Sequence, residues 1–98
     1  MKILAIEKDV PGVGPDRFQP LLRAEAQRVW ELSQAGIIRE SYFRGDCSSA
    51  VLILECSGPG EAREIIDTLP LVREGLITFE LIPLRPYPGF SRLFAAET

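Results

Sequence analysis

The chemistry open to this chain is narrowed first by what it lacks. Histidine is absent from all 98 residues. That removes Ser-His-Asp and Cys-His catalysis, histidine-ligated haem and most zinc sites. Acid–base work therefore falls to carboxylates, Lys, Tyr or Cys. The two cysteines, Cys47 and Cys56, do not have the spacing of metal ligands and fit reduced thiols. Gly12-x-Gly14 is not a phosphate cradle, because no third glycine follows and Pro15 interrupts the approach to a helix. The expectation is a site that works without cofactor or metal.

Glu25 carries the most information. A helix from Asp16 to about Ala35 places successive residues about 100° apart, so Phe18, Leu21, Leu22, Val29 and Leu32 share one sector. Glu25 falls near the middle of that sector, while Arg17, Arg23, Arg28 and Glu31 lie outside it or at its margin. An ionised carboxylate in apolar surroundings is costly unless paired, so it finds a cation or holds its proton more tightly. The second outcome suits a general base working near neutrality. The first would make Glu25 structural, paired for instance with Arg39 or Arg44, or set at a helix end open to water.

Other carboxylates stand on the strands. Glu7 shares a face with Ile3 and Ala5, Glu55 with Val51 and Ile53, and Glu80 with Thr78 and Ile82. If these are one face of the sheet, carboxylates stand at the ends of an enclosed interior; otherwise Glu7 and Glu55 are solvated strand ends. The second strand presents either Arg39, Ser41 and Phe43 or Glu40, Tyr42 and Arg44 to that side, and the pattern does not choose between them. Arg39, Tyr42 and Arg44 are thus the candidate substrate-binding residues, two cations for an anion and a phenol donor.

The elements that must position these groups are readable from their periods. Lys2 to Lys8 and Ala50 to Cys56 are strands with apolar residues on both faces, as in strands covered on both sides. Asp16 is a candidate N-cap, with Gln19 three residues on and Pro20 in the first turn, and Gly36 provides a left-handed stop. Ile37 to Arg44 reads as a strand, and Gly45 to Ser49 as a hairpin loop into the next. Ala62, Ile65, Ile66 and Leu69 stripe a second helix that Pro70 ends. A connector, Leu71 to Gly75, then leads to a last strand from Leu76 to about Leu84. The prolines at 86 and 88 exclude a central strand after that, so 85–98 reads as an extended tail on a single domain spanning 1–98.

The order β-α-β-β-α-β with right-handed crossovers predicts a ferredoxin-like α+β sandwich. It has a four-stranded antiparallel sheet, the first and third strands central, and both helices on one face. The bare face would be an apolar patch too large for a soluble monomer. A homodimer whose sheets close into an α+β barrel is expected, burying about 800 Å² per partner, with the cavity formed by that pairing. Eleven basic and 14 acidic residues, mixed along the chain, give a net charge of −3 and no basic stripe, so nucleic acid is not expected. No apolar run approaches a membrane span. The reduced thiols and a first strand with no leader ahead of it point to the cytoplasm.

Several segments together resemble the muconolactone isomerase family. They are Arg23-Ala24-Glu25, Gln34-Ala35-Gly36 with an Arg beyond it, Tyr42-Phe43-Arg44-Gly45, Leu69-Pro70-Leu71, and Pro83-Leu84 leading to Tyr87-Pro88. The resemblance implies the ferredoxin-like fold in dimeric barrels, often built into larger rings. It also implies an enzyme that shifts a double bond in a carboxylated lactone. In that family a helix glutamate is the proposed proton shuttle, and Glu25 occupies the matching position. Where the family has a Lys beside that glutamate this chain has Ala26, and its strand and tail histidines are missing, with Tyr87 preceding Pro88. Arg44 is then the cation for a substrate carboxylate. The leading expectation is a cofactor-free proton-transfer isomerase acting on a small lactone or carboxylated carbonyl compound. The alternatives are a non-catalytic ligand-binding or assembly module on the same dimer, and a cofactor-free oxygenase, which needs a large apolar pocket.

Overall fold

The computed structural model describes residues 1–94. Four strands, β1 (Lys2–Asp9), β2 (Ile38–Phe43), β3 (Ala50–Glu55) and β4 (Ile77–Leu84), form one antiparallel sheet in the order β2-β3-β1-β4. The two doubly apolar strands are therefore the central pair, as their composition demands. Pairing sets Ile3 opposite Leu54 and Pro83, and Ala5 opposite Leu52 and Leu81. These residues face helices α1 (Leu22–Gln34) and α2 (Pro59–Ile66), whose Leu32, Ala62 and Ile66 complete the core on that one side. The fold is the ferredoxin-like α+β sandwich.

Two local departures bear on the site. The chain from Pro15 to Leu21 winds as two 3-10 turns, each with a proline in its first positions, and regular α-helix begins only at Leu22. Asp16 makes no side-chain cap, so the expected cap with Gln19 does not form. A proline disfavours α geometry at the residue before it, and Gly14, ahead of Pro15, is extended (φ −84°, ψ 158°). Pro70, expected to end the second helix, instead opens a third, α3 (Pro70–Arg73). Its fixed φ suits a first helical position.

Both α1 and α3 stop at a glycine in the left-handed region, Gly36 (φ 77°) and Gly75 (φ 75°). In each case the next two amides bond back over the last turn: Gly36 N–H to Ser33 O and Ile37 N–H to Leu32 O, then Gly75 N–H to Val72 O and Leu76 N–H to Leu71 O. These stops aim β2 and β4 back across the sheet. After β4 the prolines release the chain from the ladder. Pro88–Leu93 coils as a 3-10 turn rather than staying extended, with the Tyr87 and Phe90 rings edge to face at 5.1 Å. Tyr87, Phe90, Leu93 and Phe94 are all exposed. The described chain measures 63 × 28 × 22 Å, so this arm stands off the body. The end of the expected tail, 95–98, lies outside the described residues.

Candidate functional site

The register of β2 decides what faces α1. Ile38 pairs with Leu54 but Glu40 pairs with Ile53, so Arg39 is an extra residue in a bulge. From there Ser41 and Phe43, opposite Leu52 and Ala50, turn toward the helices, and Glu40 and Tyr42 turn to the bare face. Small residues on both walls, Ser41 and Ala50 below and Ala26 and Ser33 above, leave α1 short of full contact with this end of the sheet. The result is a cavity of about 650 Å³, whose walls also include Leu52, Leu71, Val29, Glu7 and Glu25. Leu22, Trp30, Phe43 and Tyr42 form its rim, with Trp30 61% and Phe43 71% exposed. This cavity lies within one chain, between helix and sheet, whereas the sequence suggested one formed by the pairing of two sheets.

Glu25 enters from the helix wall, in the direction its place in the apolar sector requires. Its Oε1 accepts the Leu71 N–H at 3.0 Å. That amide is a first-turn donor of α3 with no partner inside its own helix, so the unforeseen helix at Pro70 is what holds the carboxylate. Burial is the largest influence on Glu25 and raises its pKa; the Leu71 hydrogen bond opposes this, and the negative charge of Glu7 adds to it. No arginine reaches it, and the expected ion pair with Arg39 or Arg44 is not made. Among the described residues, no lysine or arginine lines the cavity.

Glu7 enters from the floor. It shares the helix-facing side of β1 with Ile3 and Ala5, whereas Glu55 and Glu80 stand on the opposite face, so the three carboxylates do not share one side. Its Oε1 accepts the Ala50 N–H at 3.0 Å at the start of β3. Burial again leads in raising its pKa, the Ala50 bond opposes, and Asp9 adds a like charge. Glu7 is half-buried beside Glu25 rather than a solvated strand end. The signal in the sequence was its alternation with two residues that are fully buried.

The other anticipated groups are placed elsewhere. Arg44 clamps Asp46 in the β2–β3 hairpin, Nε to Oδ1 at 2.8 Å and Nη2 to Oδ2 at 2.6 Å. Arg39 donates from the bulge to the Gly36 carbonyl. Tyr42 borders the cavity, but its hydroxyl donates to Glu40 Oε1 at 2.6 Å, and that bond raises its pKa. Cys47 and Cys56 are both free, and no group of three potential metal ligands occurs among the described residues. A second concavity of about 580 Å³, beside Phe18, Val13 and Leu76, has Asp9 as its one ionisable residue.

No family model matches the chain, and no curated protein matches it in sequence. No helix is long and apolar enough to cross a membrane, among the described residues. A solved structure is similar to it: 5-chloro-2-hydroxyhydroquinone dehydrochlorinase from Burkholderia phenoliruptrix, in complex with 2,5-dihydroxybenzoquinone. The likeness has a TM-score of 0.70 at 18% sequence identity and covers 87% of this chain and 94% of that one. What the two chains demonstrably share is the ferredoxin-like α+β fold, which in that protein serves an enzyme converting a small ring compound.

Proposed function

We propose that this chain is a cofactor-independent isomerase of the muconolactone isomerase type. Glu25 takes a proton from a carbon next to a carbonyl, so that a double bond shifts in a small lactone or cyclic ketone. The observation that carries this reading is the state of Glu25. It is half-buried with a raised pKa, one oxygen fixed by a backbone amide, and it lines a cavity of substrate size. A carboxylate so placed is a stronger base than one in water, and the amide holds its direction.

The lining also bears on the substrate. A carboxylated lactone would bring its own negative charge toward Glu7 and Glu25 with no lysine or arginine on the wall to receive it. Arg39 and Arg44 are engaged with Gly36 and Asp46. The site therefore favours an uncharged ring, with Trp30 and Phe43 closing on it at the mouth. The dehydrochlorinase that shares the fold binds a ring of comparable size.

The proposal includes a homodimer. Leu4, Ile6, Val51, Ile53 and Ile82 alternate onto the face away from the helices, and each is only partly covered. A second copy laid on that face shelters it, in an interface of about 800 Å² per partner.

The test is the conversion of α-angelica lactone to its conjugated isomer, followed by ultraviolet absorbance. Turnover by the unaltered protein, lost in Glu25→Gln, supports the reading, as does failure of the carboxymethyl analogue to compete. The Leu71 bond favours one other reading, in which Glu25 only ties α3 to α1 in a ligand-binding module. No turnover of any butenolide would select that one.

A further inference from the structure

Glu7 has no part in the reaction as described so far, yet it stands across the same cavity from Glu25. One comes from the sheet floor and one from the helix roof. Each uses Oε1 on a backbone amide, Ala50 for Glu7 and Leu71 for Glu25, both at 3.0 Å. Neither has a cation partner, and the one charge facing Glu7 from its own strand end is Asp9, also negative. A structural carboxylate in this position would be expected to find an arginine, as Asp46 does in the hairpin.

We propose that Glu7 is the second proton-transfer group of this site, returning to the substrate's γ carbon a proton that replaces the one Glu25 removes from its α carbon. This rests on the proton-transfer reading of Glu25. Two carboxyl groups sharing an apolar space do not both ionise at little cost, and the working form of the site is the one in which the pair holds a single proton. One member is then a base and the other an acid at the same moment, the division of labour that paired carboxyls supply elsewhere.

The step balances without any co-reactant. The Glu25 carboxylate takes the α proton, breaking that C–H bond, and the electron pair moves into a dienolate. The Glu7 carboxyl gives its proton to the γ carbon, forming the new C–H bond and re-forming the carbonyl. The enzyme is left with Glu25 protonated and Glu7 ionised, and exchange with water restores the starting pair. Placing acid and base on opposite walls lets the two ends of a flat ring be served without the ring turning over.

The experiment uses α-angelica lactone with the unaltered protein and with Glu7→Gln, whose amide oxygen keeps an acceptor for the Ala50 N–H. In deuterium oxide the two-group mechanism gives a product carrying deuterium at the γ carbon in every molecule. Glu7→Gln loses about 10²-fold or more in kcat with little change in KM. Protium retained at the γ carbon shows one group carrying the same proton across and overturns the proposal. A kcat for Glu7→Gln within about threefold of the unaltered protein overturns it too. If Glu7→Gln folds poorly, protium retained at the γ carbon of product from the unaltered protein still overturns the proposal. Loss of activity in Glu25→Gln alone rejects only the part given to Glu7, whereas no loss in either variant rejects the proton-transfer reading itself.

Discussion

Glu7 and Glu25 reach into one cavity from opposite walls, each fixed by a single backbone amide, with no cation between them. Both are pushed toward their protonated forms mainly by burial, and Glu7 pushes Glu25 further. A fold that keeps two such groups together tolerates a destabilising arrangement, a pattern common where side chains do chemistry.

Substitutions at Glu25 separate its structural bond from its charge. Glu25→Gln keeps an acceptor for the Leu71 N–H and removes a desolvated charge, so stability is expected to hold or rise. Glu25→Ala leaves that amide without a partner and is expected to cost about 1–3 kcal/mol. Urea midpoints of the two variants against the unaltered chain check this; equal midpoints for Gln and Ala would contradict the role of the amide bond.

The pH dependence of stability follows with a definite sign. The folded pKa of each glutamate lies above its ordinary 4.5. The folded state therefore binds more protons than the unfolded chain, and the stability linked to these groups is present below about pH 4.5 and lost as pH rises through the folded values. Exposed Asp46 and Glu55, whose pKa values are lowered by Arg44 and by the N-terminal ammonium group, act in the opposite sense. Thermal melts of Glu7→Gln with Glu25→Gln combined should lose less stability between mildly acid and neutral pH than the unaltered chain. A decline as steep as before would place its origin elsewhere.

The mouth makes a prediction about binding rather than folding. Trp30 and Phe43 lie on the rim and are largely exposed, so replacing either with Ala should change stability by less than about 0.5 kcal/mol. The same variants should raise KM for the lactone several-fold, while kcat stays near that of the unaltered protein. Initial-rate kinetics over a range of lactone concentrations reads this directly. An unchanged KM in both would remove the aromatic rim from the site.

A charge on the bare sheet face tests assembly. Ile53 sits mid-strand there, opposite Leu4 and Glu40. Ile53→Lys is expected to leave the circular dichroism of a folded chain and to convert a dimer to a monomer in sedimentation velocity at micromolar concentration. A single subunit for the unaltered protein would contradict the dimer, though not the cavity, which lies inside one chain.

Much of this architecture could be read from residue types. The doubly apolar strands at 2–8 and 50–56 had to be central, Gly36 had to end a helix, and the wheel put Glu25 on the buried side of α1. The cavity between α1 and the sheet was not legible, for physical reasons. A one-residue bulge at Arg39 turns Ser41 and Phe43 to the helices, and nothing in the alternation of β2 announces an extra residue. Pro70 signals a stop as readily as a start, so the short helix that anchors Glu25 was invisible. Glu7 was visible in its alternation with Ile3 and Ala5, but a charge at a strand end is ordinarily solvated.

The most direct measurement is exchange of the α protons of α-angelica lactone in deuterium oxide, followed by proton NMR with the unaltered protein and with Glu25→Gln. Glu25 acting as the base predicts catalysed exchange that falls by about 10² to 10⁴ in the variant, toward the rate in buffer alone. Equal exchange rates for the two proteins, both folded, would contradict the account at its centre.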